Sequence, residues 1–121
     1  MKKVAFVSAP WRNVSPWHVK QNRYEAEFMA EWLWREGFAV ICPHKNSQDM
    51  DGLLPDECFL EGTLEIMCRC DFVVYNPELP ISEGMRLEFW TAQHENIPIM
   101  QFIQEEKDGK TIVRLKQAPT L

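Results

Sequence analysis

The chain has 121 residues, 45% of them apolar, enough for one domain (residues 1–121) around one core. Its formal charge of −5 and isoelectric point near 5.2 argue against non-specific binding to nucleic acid or to an anionic membrane, but leave room for one small anionic ligand in a local basic pocket. The basic start, Met1-Lys2-Lys3, leads into an apolar run from Val4 to Ala9 that is too short for a signal peptide or a membrane span and ends at Pro10 and Arg12. A cytoplasmic protein with Cys42, Cys58, Cys68 and Cys70 reduced is therefore expected.

Lys3 to Ser8 is short, β-branched and aromatic, and reads as the first strand. Ala9 to Asn13 is a loop that Pro16 extends. From His18 or Asn22 to Glu36 the apolar spacing is helical, with Gly37 as a C-terminal cap. Phe38 to Cys42 is the second strand, stopped by Pro43-His44. The polar segment from Lys45 to Pro55 is expected to form a mobile loop over the strand ends. Asp56 can cap the next helix, Glu57 to about Arg69. Asp71 to Tyr75 is the third strand, Ser82 to about Glu95 a helix, and Ile97 to Ile103 the fourth strand. Asp108-Gly109 is a hairpin signal, so Thr111 to Leu115 forms a last strand, antiparallel or on the sheet edge. Alternating strands and helices in this order predict a three-layer α/β/α sandwich with a mostly parallel sheet of four to five strands.

The segment from Cys70 to Glu88 is the most informative for function. An apolar strand leads into a Ser82-x-Gly84 turn that opens a helix, which sets a hydroxyl, free N–H groups and the Glu88 carboxylate at the carboxyl end of a strand, where open α/β sheets bind ligands. Glu88 follows Ser82 by six residues, on the second helical turn, and is either a nucleophile, base or acceptor there or an exposed helix glutamate. Ser82 and Gly84 either greet an anion or serve as a plain cap. Arg12 can fork onto a phosphate or stand as a surface cation, and Trp11 and Trp17 can stack on a base or act as lids or subunit contacts. Trp32, Trp34 and Trp90 lie at helical positions suited to a core or interface. His44, after Pro43, falls on the ligand edge, as a sugar or phosphate contact or a locally satisfied loop residue. Asp71 caps a neighbouring loop or helps to bind ligand. The cysteine spacings do not match a structural zinc site, and neither Gly-x-Gly-x-x-Gly nor a phosphate-binding P-loop occurs, so no metal and no dinucleotide cofactor is expected.

Taken together, these pieces resemble the nucleoside 2-deoxyribosyltransferase-like superfamily, in particular its small members from bacteria and phages. The resemblance covers roughly Lys3 to Phe102. Four patterns carry it: Ser8-Ala9-Pro10-Trp11-Arg12; Asn22 to Ala26 followed by Gly37; Cys42-Pro43-His44; and Asp71 with Ile81-Ser82-Glu83-Gly84-Met85-Arg86-Leu87-Glu88. It implies a flavodoxin-like (Rossmann-like) fold in which Glu88 attacks C1′ of a ribosyl or deoxyribosyl group. Ser82 would bind the base or a 5′-phosphate, the loop from Ser8 through Pro10 to Arg12 would hold the sugar or phosphate, and a homo-oligomer would complete the site. No cofactor is implied. One position departs: the family's helix aspartate, eight residues before Asp71, is Thr63 here, and threonine cannot donate a proton with a matched pKa. The expected activity is cleavage or transfer of the N-glycosidic bond of a nucleoside or nucleoside 5′-monophosphate. The alternatives are a protein that binds a nucleotide or nucleotide signal without turning it over, and an interaction protein that keeps the fold without the site.

Overall fold

A computed structural model describes residues 1–13, 15–46 and 48–119. In chain order the elements are β1 (Val4–Val7), α1 (Pro16–Arg35), β2 (Ala39–Ile41), α2 (Pro43–Asn46), α3 (Asp56–Met67), β3 (Phe72–Tyr75), α4 (Glu83–His94), β4 (Ile99–Lys107) and β5 (Lys110–Gln117). The sheet runs β2-β1-β3-β4-β5, parallel except for the antiparallel β4–β5 pair. The expected α/β architecture and its mostly parallel sheet are thus present, with the last strand on the edge.

Strand alternation divides the core between the two faces of the sheet. Ala5, Val7, Phe72 and Val74 face α1, where Ala26, Met29, Ala30 and Leu33 share one helical stripe and are buried. Phe6, Val73 and Tyr75 face the other way, against Met67 of α3 and Met85, Phe89 and Ala92 of α4. Of the helical tryptophans, Trp32 packs edge-on against Phe102 at 5.5 Å, whereas Trp34 and Trp90 are exposed.

Three local signals set the element ends. The α1 helix begins at Pro16, earlier than its apolar spacing suggests, because proline at the first helical position lacks only an N–H that would be unpaired anyway. It ends at Gly37, whose φ of 97° closes the turn: Gly37 N donates to Trp34 O and Phe38 N to Leu33 O, both at 3.1 Å. Pro43, expected to stop β2, also starts the short α2 helix for the same reason as Pro16. Asp108 and Gly109 both have positive φ, 53° and 74°, the geometry of a two-residue hairpin whose twist matches its strands.

Because β2 lies to one side of β1 and β3 to the other, the direction of winding reverses between β1 and β3. A crevice opens there, outside the carboxyl ends of the strands.

Candidate active site

Ser8 directly follows β1, and its N–H still donates to Val74 O at 2.8 Å. Strand alternation therefore turns its side chain to the same face as Phe6, toward α3 and α4. On α4, Ser82 caps the first turn, its hydroxyl accepting from Met85 N at 3.2 Å. Helical spacing then puts Met85, Glu88, Phe89 and Ala92 on one buried face. The two faces meet where Ser8 Oγ donates to Glu88 Oε1 at 2.7 Å. Glu88 is only 9% exposed. Burial pushes its carboxyl up to about 7, against a smaller downward pull from the Ser8 hydrogen bond. The Tyr75 hydroxyl, on the same face of the sheet, accepts from Gln101 Nε2 at 2.8 Å.

His44 sits in α2, just beyond the end of β2, and is 7% exposed. Its Nε2 lies 3.2 Å from Ala9 O, and its ring is 4.6 Å from that of Trp11. A carbonyl oxygen only accepts, so Nε2 carries the proton. Burial pushes the imidazole down to about 4, which makes it neutral at pH 7 and leaves Nδ1 a bare acceptor. No described group pairs with that buried Nδ1.

The crevice has a volume of about 570 Å³. Trp11, Arg12, His44, Thr63, Ser82, Gly84 and Glu88 line it. Five of the residues expected to bind substrate from the sequence thus share one wall with Glu88. Ser8 stands behind Glu88 as its hydrogen-bond donor, and Pro10 is buried nearby without lining the space. Two of the residues named from the sequence stand apart from the crevice. Trp17 is exposed and stacks edge-on with His18, away from the crevice, so Trp11 is the aromatic residue in its wall. Asp71 opens β3 at the opposite edge of the sheet, where its Oδ2 accepts from Val4 N at 2.6 Å. It closes the β1–β3 junction rather than the ligand site, because the first residue of a parallel strand lies a strand length away from the carboxyl edge.

Sequence reasoning missed the acidic rim. Asp51, Asp56 and Glu57 all line the crevice. Asp56 does not cap α3; it pairs with Arg12 at 3.0 Å, and the two raise and lower each other's pKa in the usual directions. The available signal was topological. Helices that follow strands in such a sheet begin at the carboxyl edge, so the first turn of α3 borders the same space as that of α4.

The described residues contain no group of three or more His, Cys, Asp or Glu side chains placed to hold a metal ion. No helix among them is long and apolar enough to cross a membrane. Cys42 and Cys70 are thiols whose pKa burial raises, to about 11 for Cys70.

No family model and no curated protein matches the chain. Solved structures resemble it, among them the following two. A 2-deoxyribosyltransferase from the psychrotolerant bacterium Bacillus psychrosaccharolyticus superposes with a TM-score of 0.64 at 15% identity, covering 81% of this chain and 70% of that one. The CMP N-glycosidase BcmB of Clostridium botulinum superposes with a TM-score of 0.55 at 21% identity, covering 82% of this chain and 67% of that one. At these identities the likeness establishes a shared fold.

Proposed function

We propose that this protein cleaves or transfers the N-glycosidic bond of a nucleoside or nucleoside 5′-monophosphate, with Glu88 as nucleophile. The observation that carries the reading is the buried Glu88 carboxyl in the wall of a strand-end crevice, oriented by Ser8 at 2.7 Å. The fold shared with a deoxyribosyltransferase and an N-glycosidase supports it.

In this mechanism Ser8 donates to Oε1 and leaves Oε2 free. Oε2 attacks C1′ of the sugar, and the C1′–N bond breaks. Its electron pair leaves with the base, which takes a proton from water at the open end of the crevice. The resulting glycosyl ester of Glu88 is then attacked at C1′ by water or by a second base, which restores the carboxylate. The indole of Trp11 offers the base a stacking face, and Ser82 with the first turn of α4 faces the sugar. Because the carboxyl titrates near 7, the nucleophilic form dominates only above neutrality, and kcat/KM should rise with pH through about 7.

One observation favours a second reading, binding without turnover. Thr63 lines the crevice at the position where the family resemblance implies an aspartate, and it supplies no acid for the leaving base.

A single experiment separates the two. Ribo- and deoxyribonucleosides and their 5′-monophosphates are incubated with the wild type and with Glu88→Gln, and free base is measured by chromatography. A glycosyl-transfer nucleophile predicts release by the wild type and a loss of about three orders of magnitude or more in the variant. A loss of only a few-fold would sink the covalent mechanism, and no release with retained binding would establish the second reading.

A further inference from the structure

We infer that the crevice selects unphosphorylated nucleosides over their 5′-monophosphates. The inference rests on the glycosidic reading for the identity of the ligand, but its basis is the arrangement of charge around the crevice.

Three devices in the wall could hold a phosphate, and each already faces a group of the protein that competes for it. The first is Arg12, the one Lys or Arg side chain among the described lining residues. Its Nη1 sits 3.0 Å from Asp56 Oδ2, and Asp51 adds a second negative charge near it. The second is the amino end of α3, whose partial positive charge faces its own first-turn carboxylates, Asp56 and Glu57. The third is the amino end of α4. There Ser82 Oγ takes up Met85 N, and Glu83 brings a carboxylate into the first turn and into the crevice lining.

The balance is therefore acidic. Leaving Glu88 aside, four carboxylates line the space (Asp51, Asp56, Glu57 and Glu83) against one guanidinium. His44 adds no positive charge. Burial keeps its imidazole neutral, and its buried Nδ1 is an acceptor without a described partner. Hydroxyls and an exocyclic amino group satisfy a wall rich in acceptors, whereas a phosphate dianion presents more acceptors and more negative charge. Repulsion by the surplus carboxylates, screened because they are exposed, is sufficient for a discrimination of about tenfold or more at moderate ionic strength.

The test compares cytidine, adenosine and their 2′-deoxy forms with the matching 5′-monophosphates. Binding is followed by calorimetry, base release by chromatography, and the pairs are repeated with Asp56→Asn. That substitution at an exposed position removes one carboxylate and frees Arg12. The expected result is tighter binding and higher kcat/KM for at least one nucleoside than for its monophosphate, by about tenfold or more. The gap should narrow several-fold in Asp56→Asn and as salt is raised. Equal or tighter binding of the monophosphates, or a gap unmoved by Asp56→Asn and salt, would overturn the inference while leaving the glycosidic reading intact. Nucleoside-selective binding without base release would remove that reading and keep the selectivity. Failure of every compound to bind would overturn both.

Discussion

The two edges of the sheet treat a carboxylate in opposite ways. At the amino edge, Asp71 is exposed and its oxygen accepts a backbone N–H from Val4 at 2.6 Å, which leaves both groups satisfied and the ion in water. At the carboxyl edge, Glu88 is buried among Met85 and Phe89 with one hydroxyl donor, and His44 is buried with one nitrogen unpaired. Neither arrangement at the carboxyl edge improves stability, since a buried acid that must ionise and an unpaired acceptor both cost free energy. The difference teaches where the molecule gives up stability: the strained polar groups collect at the crevice, and the opposite edge is built only to close the sheet.

The largest test of that contrast is Glu88→Gln. A carboxyl that titrates near 7 in the folded chain and near its ordinary 4.5 when unfolded binds its proton more tightly when folded. Its contribution is therefore fully favourable below pH 4.5 and is lost as pH rises through 7, a swing of about 3 kcal/mol. The neutral amide keeps the shape and the Ser8 partner. Urea unfolding should find Glu88→Gln more stable than wild type by up to about 3 kcal/mol at pH 8.5 and nearly unchanged at pH 4.5. An equal effect at both pH values would show that burial does not hold the carboxyl neutral.

Ser8→Ala comes next. It removes the one interaction that favours the ionised carboxylate, so the acid limb of kcat/KM should move further above 7 and stability should fall by about 1–2 kcal/mol. An unmoved limb would mean that the hydroxyl does not bear on the titrating group. The smallest effect is expected from Asp71→Ala, which leaves Val4 N without its side-chain acceptor. About 1 kcal/mol of stability should be lost by thermal denaturation, with the pH profile of base release unchanged. A shifted profile would tie the amino edge to the chemistry.

Much of the fold was legible because its signals are local. Gly37, Ser82 and Asp108-Gly109 each announce a turn or cap through their own backbone preferences, and the apolar strands β1 and β3 stand out by composition. Pro16, read as part of a loop, instead opens α1, whereas Pro43 follows the end of β2 as expected and also opens α2, because proline suits the first helical position. In the crevice, Glu88, Ser82, Arg12 and His44 could be proposed singly from their positions after strands. Their pairing could not. The partner of Glu88 lies 80 positions away at Ser8, and the partner of Arg12 lies 44 positions away at Asp56, in a residue whose local context suggested a cap. Such pairings depend on strand order, which no local pattern encodes.

The separation of Ser8 and Glu88 also bears on how the molecule assembles. The β4–β5 hairpin needs only a two-residue turn to bring Lys107 opposite Lys110, so it can form within microseconds of collapse. The Ser8–Glu88 bond spans 80 positions and forms only after β1 has found β3 and α4 has docked across them. Recovery of ligand binding during refolding is therefore expected to report the completion of the sheet rather than its beginning.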